Sequence, residues 1–165
     1  MIEEPLCKLE PFAAAGADMI TVALEGCSHP HRTLQAIGQL ANVNDPKRGI
    51  ARGISLNPGT PVGTIEPLLD EADMLLLLAV NPGWSGQKFI KSTVQRAARA
   101  LELIRASGRD IILCLDGGIT KDNVVDAFQT GADIVVTGSA VFDGKDPAGN
   151  LKAMLDSVAE WRRHR

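Results

Sequence analysis

Ile111-Ile112-Leu113-Cys114-Leu115-Asp116-Gly117-Gly118 is a short, almost unbroken apolar run that ends in a carboxylate and two glycines. A strand that is apolar at nearly every position must be covered on both faces. That is how buried parallel strands read, whereas a half-solvated strand alternates. Polar or glycine residues just past such a run lie where α/β folds place their chemistry. The next run, Ile134-Val135-Val136-Thr137, closes in the same way on Gly138-Ser139. The two ends together look like a phosphate cradle beside a lone carboxylate. Two plainer readings stand beside this one: glycines that only make tight strand-to-helix turns, and an aspartate that only caps the following helix.

The punctuation around these runs repeats. Gly16-Ala17-Asp18, Glu71-Ala72-Asp73 and Gly131-Ala132-Asp133 each close a helical stretch and open an apolar one, as a helix-to-strand connection should. The strand ends then fall at Glu25, Asn57, Asn81, Asp116 and Gly138, near the ~30-residue period of βαβ units. The spacing predicts about five parallel strands joined by helices. Ser92 and Thr120 are the expected helix caps after the third and fourth strands. Thr60-Pro61 and Asp146-Pro147 each pair a cap with a proline suited to the first helical position. Val94, Ala97, Ala98, Leu101 and Ile104 have helical spacing. Residues 42–52 are polar and read as a surface loop.

The totals bound the function. The chain has 165 residues, 45% hydrophobic and 22% charged, enough for one domain with a core. A net charge of −3 gives no basic footprint, so no nucleic-acid partner is expected, and an anion must be held by local dipoles. The longest apolar run, residues 74–80, is too short to span a bilayer, so no membrane partner is expected either. Met1-Ile2-Glu3-Glu4-Pro5 is acidic where a secretory leader is basic. Cys7, Cys27 and Cys114 are odd in number without CxxC spacing and read as reduced thiols in a cytoplasmic protein. His29 and His31 read as a solvated helix start rather than metal ligands. Arg162-Arg163-His164-Arg165 reads as a solvated basic helix end that complements the dipole.

Asn81-Pro82-Gly83-Trp84-Ser85-Gly86-Gln87-Lys88-Phe89-Ile90, Asp116-Gly117-Gly118-Ile119 and Gly138-Ser139-Ala140-Val141-Phe142 resemble, in this order and at fitting distances, the signature of the ribulose-phosphate 3-epimerase family. The similarity runs from about Pro11 to Met154. It implies a (β/α)8 TIM-barrel type of α/β fold, here incomplete, with residues 1–165 forming one partial domain of about five βα units and the first three absent. The implied activity is metal-assisted 3-epimerisation of a ketopentose 5-phosphate or related ketose phosphate by two carboxylates. By the same resemblance Gly83, Trp84, Ser85, Gly86, Gly117, Gly118, Gly138 and Ser139 contact the substrate and its phosphate.

Asp116 is implied to be both metal ligand and one of the two acid/base groups, with a divalent cation (Zn, Fe, Mn or Co) as cofactor. The family's second aspartate, its histidine ligands and its first-strand serine have no counterpart in this chain. Ala23 stands where a histidine is usual, and Leu78 where a methionine is frequent. The alternative is therefore a catalytically impaired sugar-phosphate-binding remnant or pseudoenzyme. Unpaired sheet edges make a homo-oligomer the expected assembly.

Overall fold

The computed structural model describes residues 2–164. Its strands are β1 (Met19–Ala23), β2 (Ala51–Leu56), β3 (Met74–Leu78), β4 (Ile112–Asp116) and β5 (Ile134–Val136). All pair in parallel in the order of the sequence, forming one five-stranded sheet. The α-helices are α1 (Leu9–Ala14), α2 (Pro30–Gly38), α3 (Thr93–Ser107), α4 (Val124–Gln129) and α5 (Pro147–Arg163). A 3₁₀ helix, Val62–Glu71, joins β2 to β3 where the sequence led to an ordinary helix. Pro67 inside it lacks the N–H that an α-helical ladder needs.

Pairing register sorts the side chains into two faces. Ala23, Ser55, Leu76, Cys114 and Ile134 stand side by side, and Leu78, Asp116 and Val136 form the row beyond them. Alternation along each strand sends Ile54, Leu56, Leu75, Leu77, Leu113 and Leu115 to the opposite face, where each is 0% exposed. Those six share one apolar cluster with Leu34 and Ile37 of α2 and Ala97, Ala100, Leu103 and Ile104 of α3. Burying each such side chain contributes about 1.5–3 kcal/mol, so this helix-covered face holds the fold together. Met74, Leu78 and Cys114 on the other face are buried but stand outside that cluster. Burial there fades toward the edges, with Met19 36%, Ile134 40% and Val136 39% exposed. Among the described residues no strand pairs with the free side of β1 or of β5.

The repeated aspartates mark one rim of the sheet. Asp73 accepts the backbone N–H of Arg52 at 2.9 Å and its guanidinium at 3.0 Å through each oxygen. Asp133 accepts from the Leu113 N–H at 2.8 Å, and Asp18 from the Asn42 side-chain amide at 3.0 Å. Each therefore ties the start of its strand to a neighbouring segment. The reading of residues 42–52 as a surface loop holds for residues 43–48, which are exposed, but not for Asn42, which is fully buried. Its amide donates to Asp18 and to the Gly49 carbonyl, while its oxygen accepts from the N–H groups of Asn44 and Asp45. Ala51 and Arg52 already belong to β2.

The caps divide. Asp146 accepts from the Gly149 N–H at 2.9 Å and caps α5 behind Pro147, as expected. Ser92 precedes α3 without a capping hydrogen bond from its side chain. Thr120 lies ahead of α4, whose cap position is Asn123. It accepts instead from the Asp122 N–H at 3.3 Å, making a local turn before the helix begins. Thr60 turns its hydroxyl to Glu25 rather than to the helix that follows. Of the basic end of α5, Arg162 lies over the Phe128 ring at 5.6 Å, and Arg165 lies outside the described residues.

Candidate functional site

The opposite rim, at the C-terminal ends of the strands, carries the three glycine-containing turns. The turn after β4 is locked from two sides. Ala79 donates to the Asp116 carbonyl at 2.7 Å and accepts from the Ile90 N–H at 2.8 Å. The Thr137 hydroxyl, just past β5, donates to the Ile119 carbonyl at 3.0 Å. Segments 79–90, 116–119 and 137 are thereby hydrogen-bonded into one rim. Gly118 sits at φ 66°, and a Cβ there would lie 2.4 Å from the Phe89 nitrogen and 2.7 Å from its Cα. Only glycine allows the two backbones to approach so closely. Gly138 differs: its φ is not in the left-handed region and the space before a Cβ is open, so neither contact nor conformation demands glycine there.

A cavity of about 720 Å³ opens between the first two of these segments and reaches the third. Gly86, Gly118 and Ser139, one residue from each turn, line it together with Gln87, Lys88, Lys91 and Thr120, and it runs on between the starts of α3 and α4, where Val94, Asp122 and Asp126 line it. Gly83, Trp84, Ser85, Gly117, Gly138 and Asp116 are not among its lining residues. Trp84 projects from its loop and is 65% exposed.

Asp116 ends β4 on the face that the helices leave uncovered, half-buried, between Leu78 and Val136 in register. Burial holds its carboxyl above the usual carboxylate range, and among the described residues no hydrogen bond or neighbouring cation opposes that shift. Cys114 lies one step back on the same face, its thiol pushed up to about 11 by burial and then by the Asp116 charge. It is therefore a protonated thiol at neutral pH. Among the described residues no group of three or more His, Cys, Asp or Glu could hold a metal ion. His29, the residue before α2, and His31 within it are both exposed. The donor set present does not fit a divalent cation, which needs several oxygen or nitrogen ligands beyond a single carboxylate.

Two further groups act at this rim, Arg96, which the sequence reading does not single out, and Glu25, which it gives only as a strand end. Arg96 of α3 donates to the carbonyls of Leu78 at 3.1 Å and Asn57 at 2.7 Å, binding the ends of β2 and β3 together. Glu25 accepts from the Asn57 N–H at 2.8 Å and from the Thr60 hydroxyl, which adds the end of β1. Arg96 was accessible in principle. It falls at inward helical spacing with the buried Thr93, Ala97 and Ala100, where a cation needs a reason.

With this geometry in place, sequence comparison decides the family. The model of the ribulose-phosphate 3 epimerase family matches residues 1–142. The chain belongs to that family. The Bacillus subtilis ribulose-phosphate 3-epimerase is 40% identical over 147 residues, which cover 88% of this chain and 64% of the relative. The Escherichia coli K12 ribulose-phosphate 3-epimerase is 38% identical over 161 residues, covering 97% of this chain and 68% of the relative. The chain thus spans about two thirds of the length of these family members. The 3-hexulose-6-phosphate synthase of Salmonella typhimurium, at a TM-score of 0.69 and 22% identity, covers 97% of this chain and 70% of that one. This likeness supports the fold alone, an incomplete TIM-barrel type of sheet. No helix among the described residues is long and apolar enough to cross a membrane.

Proposed function

We propose that this chain supplies the phosphate-binding turns and one of two acid/base carboxylates of an epimerase acting at carbon 3 of a pentulose 5-phosphate or a related ketose phosphate. The observation that carries the reading is the convergence of Gly86, Gly118 and Ser139 on one cavity, on the rim where Asp116 stands without a partner. Glycine turns let backbone N–H groups approach a phosphoryl oxygen closely, and Gly83, Trp84, Ser85, Gly117 and Gly138 continue the same turns. Epimerisation removes a proton alpha to a ketone on one face and returns one on the other, a task for two opposed carboxyl groups. An aspartate whose carboxyl burial raises above its ordinary value is better matched to that exchange than an ordinary one. The donors of this chain do not by themselves hold a divalent cation.

The second carboxylate must come from elsewhere. We propose that β1 and β5 are each paired, in the working protein, with further parallel strands that close a barrel, residues 1–165 being one part of it. The apolar side chains exposed on the two outer strands, Met19, Ile134 and Val136, support this. So do Phe12 of α1 and Leu151 and Leu155 of α5, exposed on the outermost helices. Without such strands the same edges favour self-association. The free thiols Cys7, Cys27 and Cys114 fit a reducing, cytoplasmic setting.

The test is solvent exchange of the carbon-3 proton of a pentulose 5-phosphate in D2O, followed by proton NMR with the 165-residue chain. The expected result is sugar-phosphate binding with little or no epimerisation, and turnover once the strands that complete the barrel are supplied. Normal turnover by a monomeric preparation of the chain alone overturns the paired-edge reading. Tight binding without any carbon-3 exchange, even with the barrel completed, favours the second reading, a sugar-phosphate-binding remnant. The lone position of Asp116 and the presence of Ala23 at the end of β1 speak for that alternative.

A further inference from the structure

The loop after β3 is held in shape by a side chain of its own. The Gln87 amide nitrogen donates to the carbonyls of Asn81 and, at 3.0 Å, of Trp84, and its oxygen accepts from the Asn81 N–H at 3.1 Å. One amide thus uses both its donors and its acceptor on the loop that it closes. Within the arc Gly83 has φ 133° and Gly86 φ 80°, with nothing within 4 Å of a Cβ on either. The loop lies mostly in solvent, and only Gln87 and Pro82 of residues 81–88 are shielded enough to count as half-buried. Neither packing nor a strand ladder therefore accounts for its curvature. Gly86 and Gln87 then line the cavity shared with Gly118 and Ser139.

We propose that Gln87 is a positioning residue that keeps this arc preformed, with its backbone set toward the cavity before a phosphoryl group arrives. The proposal rests on the reading of the three turns as a phosphoryl receptor. A glycine-bearing loop left free must order on binding, and that lost freedom is taken from affinity. A clasp that orders the loop in advance removes the cost. Gln87 itself need not touch the ligand, so its loss acts through the loop.

The experiment uses the whole chain labelled with 5-fluorotryptophan, which reports Trp84 on the loop and Trp161 on α5 as an internal reference. Trp84→Phe assigns the two fluorine signals, and inorganic phosphate is the probe. Gln87→Met keeps the volume but removes the amide, and is expected to shift and narrow the Trp84 signal while leaving Trp161 in place. Its phosphate dissociation constant is expected to rise roughly tenfold. Gln87→Glu is expected to bind more weakly still at pH 7, where a carboxylate faces two carbonyl oxygens, and to recover in part as acid protonates it. A mere space-filling role predicts no such recovery.

Unchanged Trp84 signal and unchanged affinity in Gln87→Met overturn the proposal. So does a loosened loop with unaltered affinity, because the clasp is then structural only. Absence of any phosphate effect on the parent chain overturns the phosphoryl reading itself. That failure is told apart by a Trp84 signal that still responds to Gln87→Met.

Discussion

Asp73 and Asp116 are aspartates at opposite rims of one sheet, in environments that differ in nearly every respect. Asp73 lies at the start of β3, where burial would raise its carboxyl but the side-chain and backbone hydrogen bonds of Arg52 and the charges of Arg52 and Arg109 outweigh that and hold it low. Asp116 lies at the end of β4, where burial acts unopposed. A partnered carboxylate favours the folded chain, whereas an unpartnered half-buried one is a standing cost that a protein keeps for chemistry or loses. The contrast shows which rim is built for cohesion and which for exchange with a ligand, and barrels of this kind divide their ends in the same way.

The largest effect that can break this comparison is expected at Asp116. In a preparation with turnover, Asp116→Asn should lower kcat by about a hundredfold to ten-thousandfold, as the loss of a general acid/base does. The same change should raise the urea midpoint near neutral pH. The sign follows from linkage: a carboxyl raised in the folded state above 3.8 binds its proton more tightly there than in the unfolded chain. Asp116 therefore costs nothing well below 3.8, and its cost grows as pH climbs from there to the raised folded value and is constant above it. Urea titrations of parent and Asp116→Asn should coincide in acid and separate toward neutrality. A variant that is less stable at pH 7 would mean that Asp116 has a structural partner after all.

Gly118→Ala comes next. Its Cβ would meet the Phe89 backbone 2.4 Å away, so one of the two segments must move. A cost of about 2–4 kcal/mol is expected from backbone strain and overpacking, read from urea unfolding, together with loss of phosphate affinity. Gly138→Ala, where the space is open, should leave stability within about 0.5 kcal/mol, so the pair tests whether tight contact or mere turn-making accounts for these glycines.

Asp73→Asn should cost about 1 kcal/mol, because Arg52 loses one of its two carboxylate partners but keeps Glu71 at 2.8 Å. This stabilisation is present above 3.8 and lost as pH falls through the lower folded value, so the deficit should vanish in acid. Phosphate affinity should not change, which sets the two rims apart in one measurement.

Much of this division was legible in the chain. The runs before Asp116 and Gly138 are short, apolar and punctuated, which marks parallel strands, although the second run leaves Ile134 and Val136 exposed. The Ala-Asp repeat located strand starts, because the helix-to-strand turn is local chemistry. The hydrogen bonds of Arg96 and Glu25 were hidden, since their partners lie 18 to 39 residues away and depend on pairing register. Asn42 was misread for a related reason. Polar composition suggests a solvated loop, but an amide that satisfies all its hydrogen bonds internally can be buried without penalty. Asp116 was placed by its motif, but its isolation depends on the absence of neighbouring donors, which no spacing reveals.

Arg96→Met carries the smallest expected effect and sharpens the comparison most finely, because it puts on the ligand-facing rim the kind of tie that dominates the other. Burial, the larger influence, lowers the Arg96 pKa against the pull of Glu25, and its guanidinium spends its donors on backbone carbonyls at the ends of β2 and β3. Methionine preserves the aliphatic stem while releasing those carbonyls, so stability should fall by at most about 1 kcal/mol. Amide exchange should quicken at Asn57, Ala79 and Ile90 but not at Ile112 or Leu113, whose N–H groups are held at the other rim by Asp73 and Asp133. Equal quickening at both rims would show the sheet opening as a single unit, and the division into a cohesive rim and a ligand-facing rim would then describe charge alone and not rigidity.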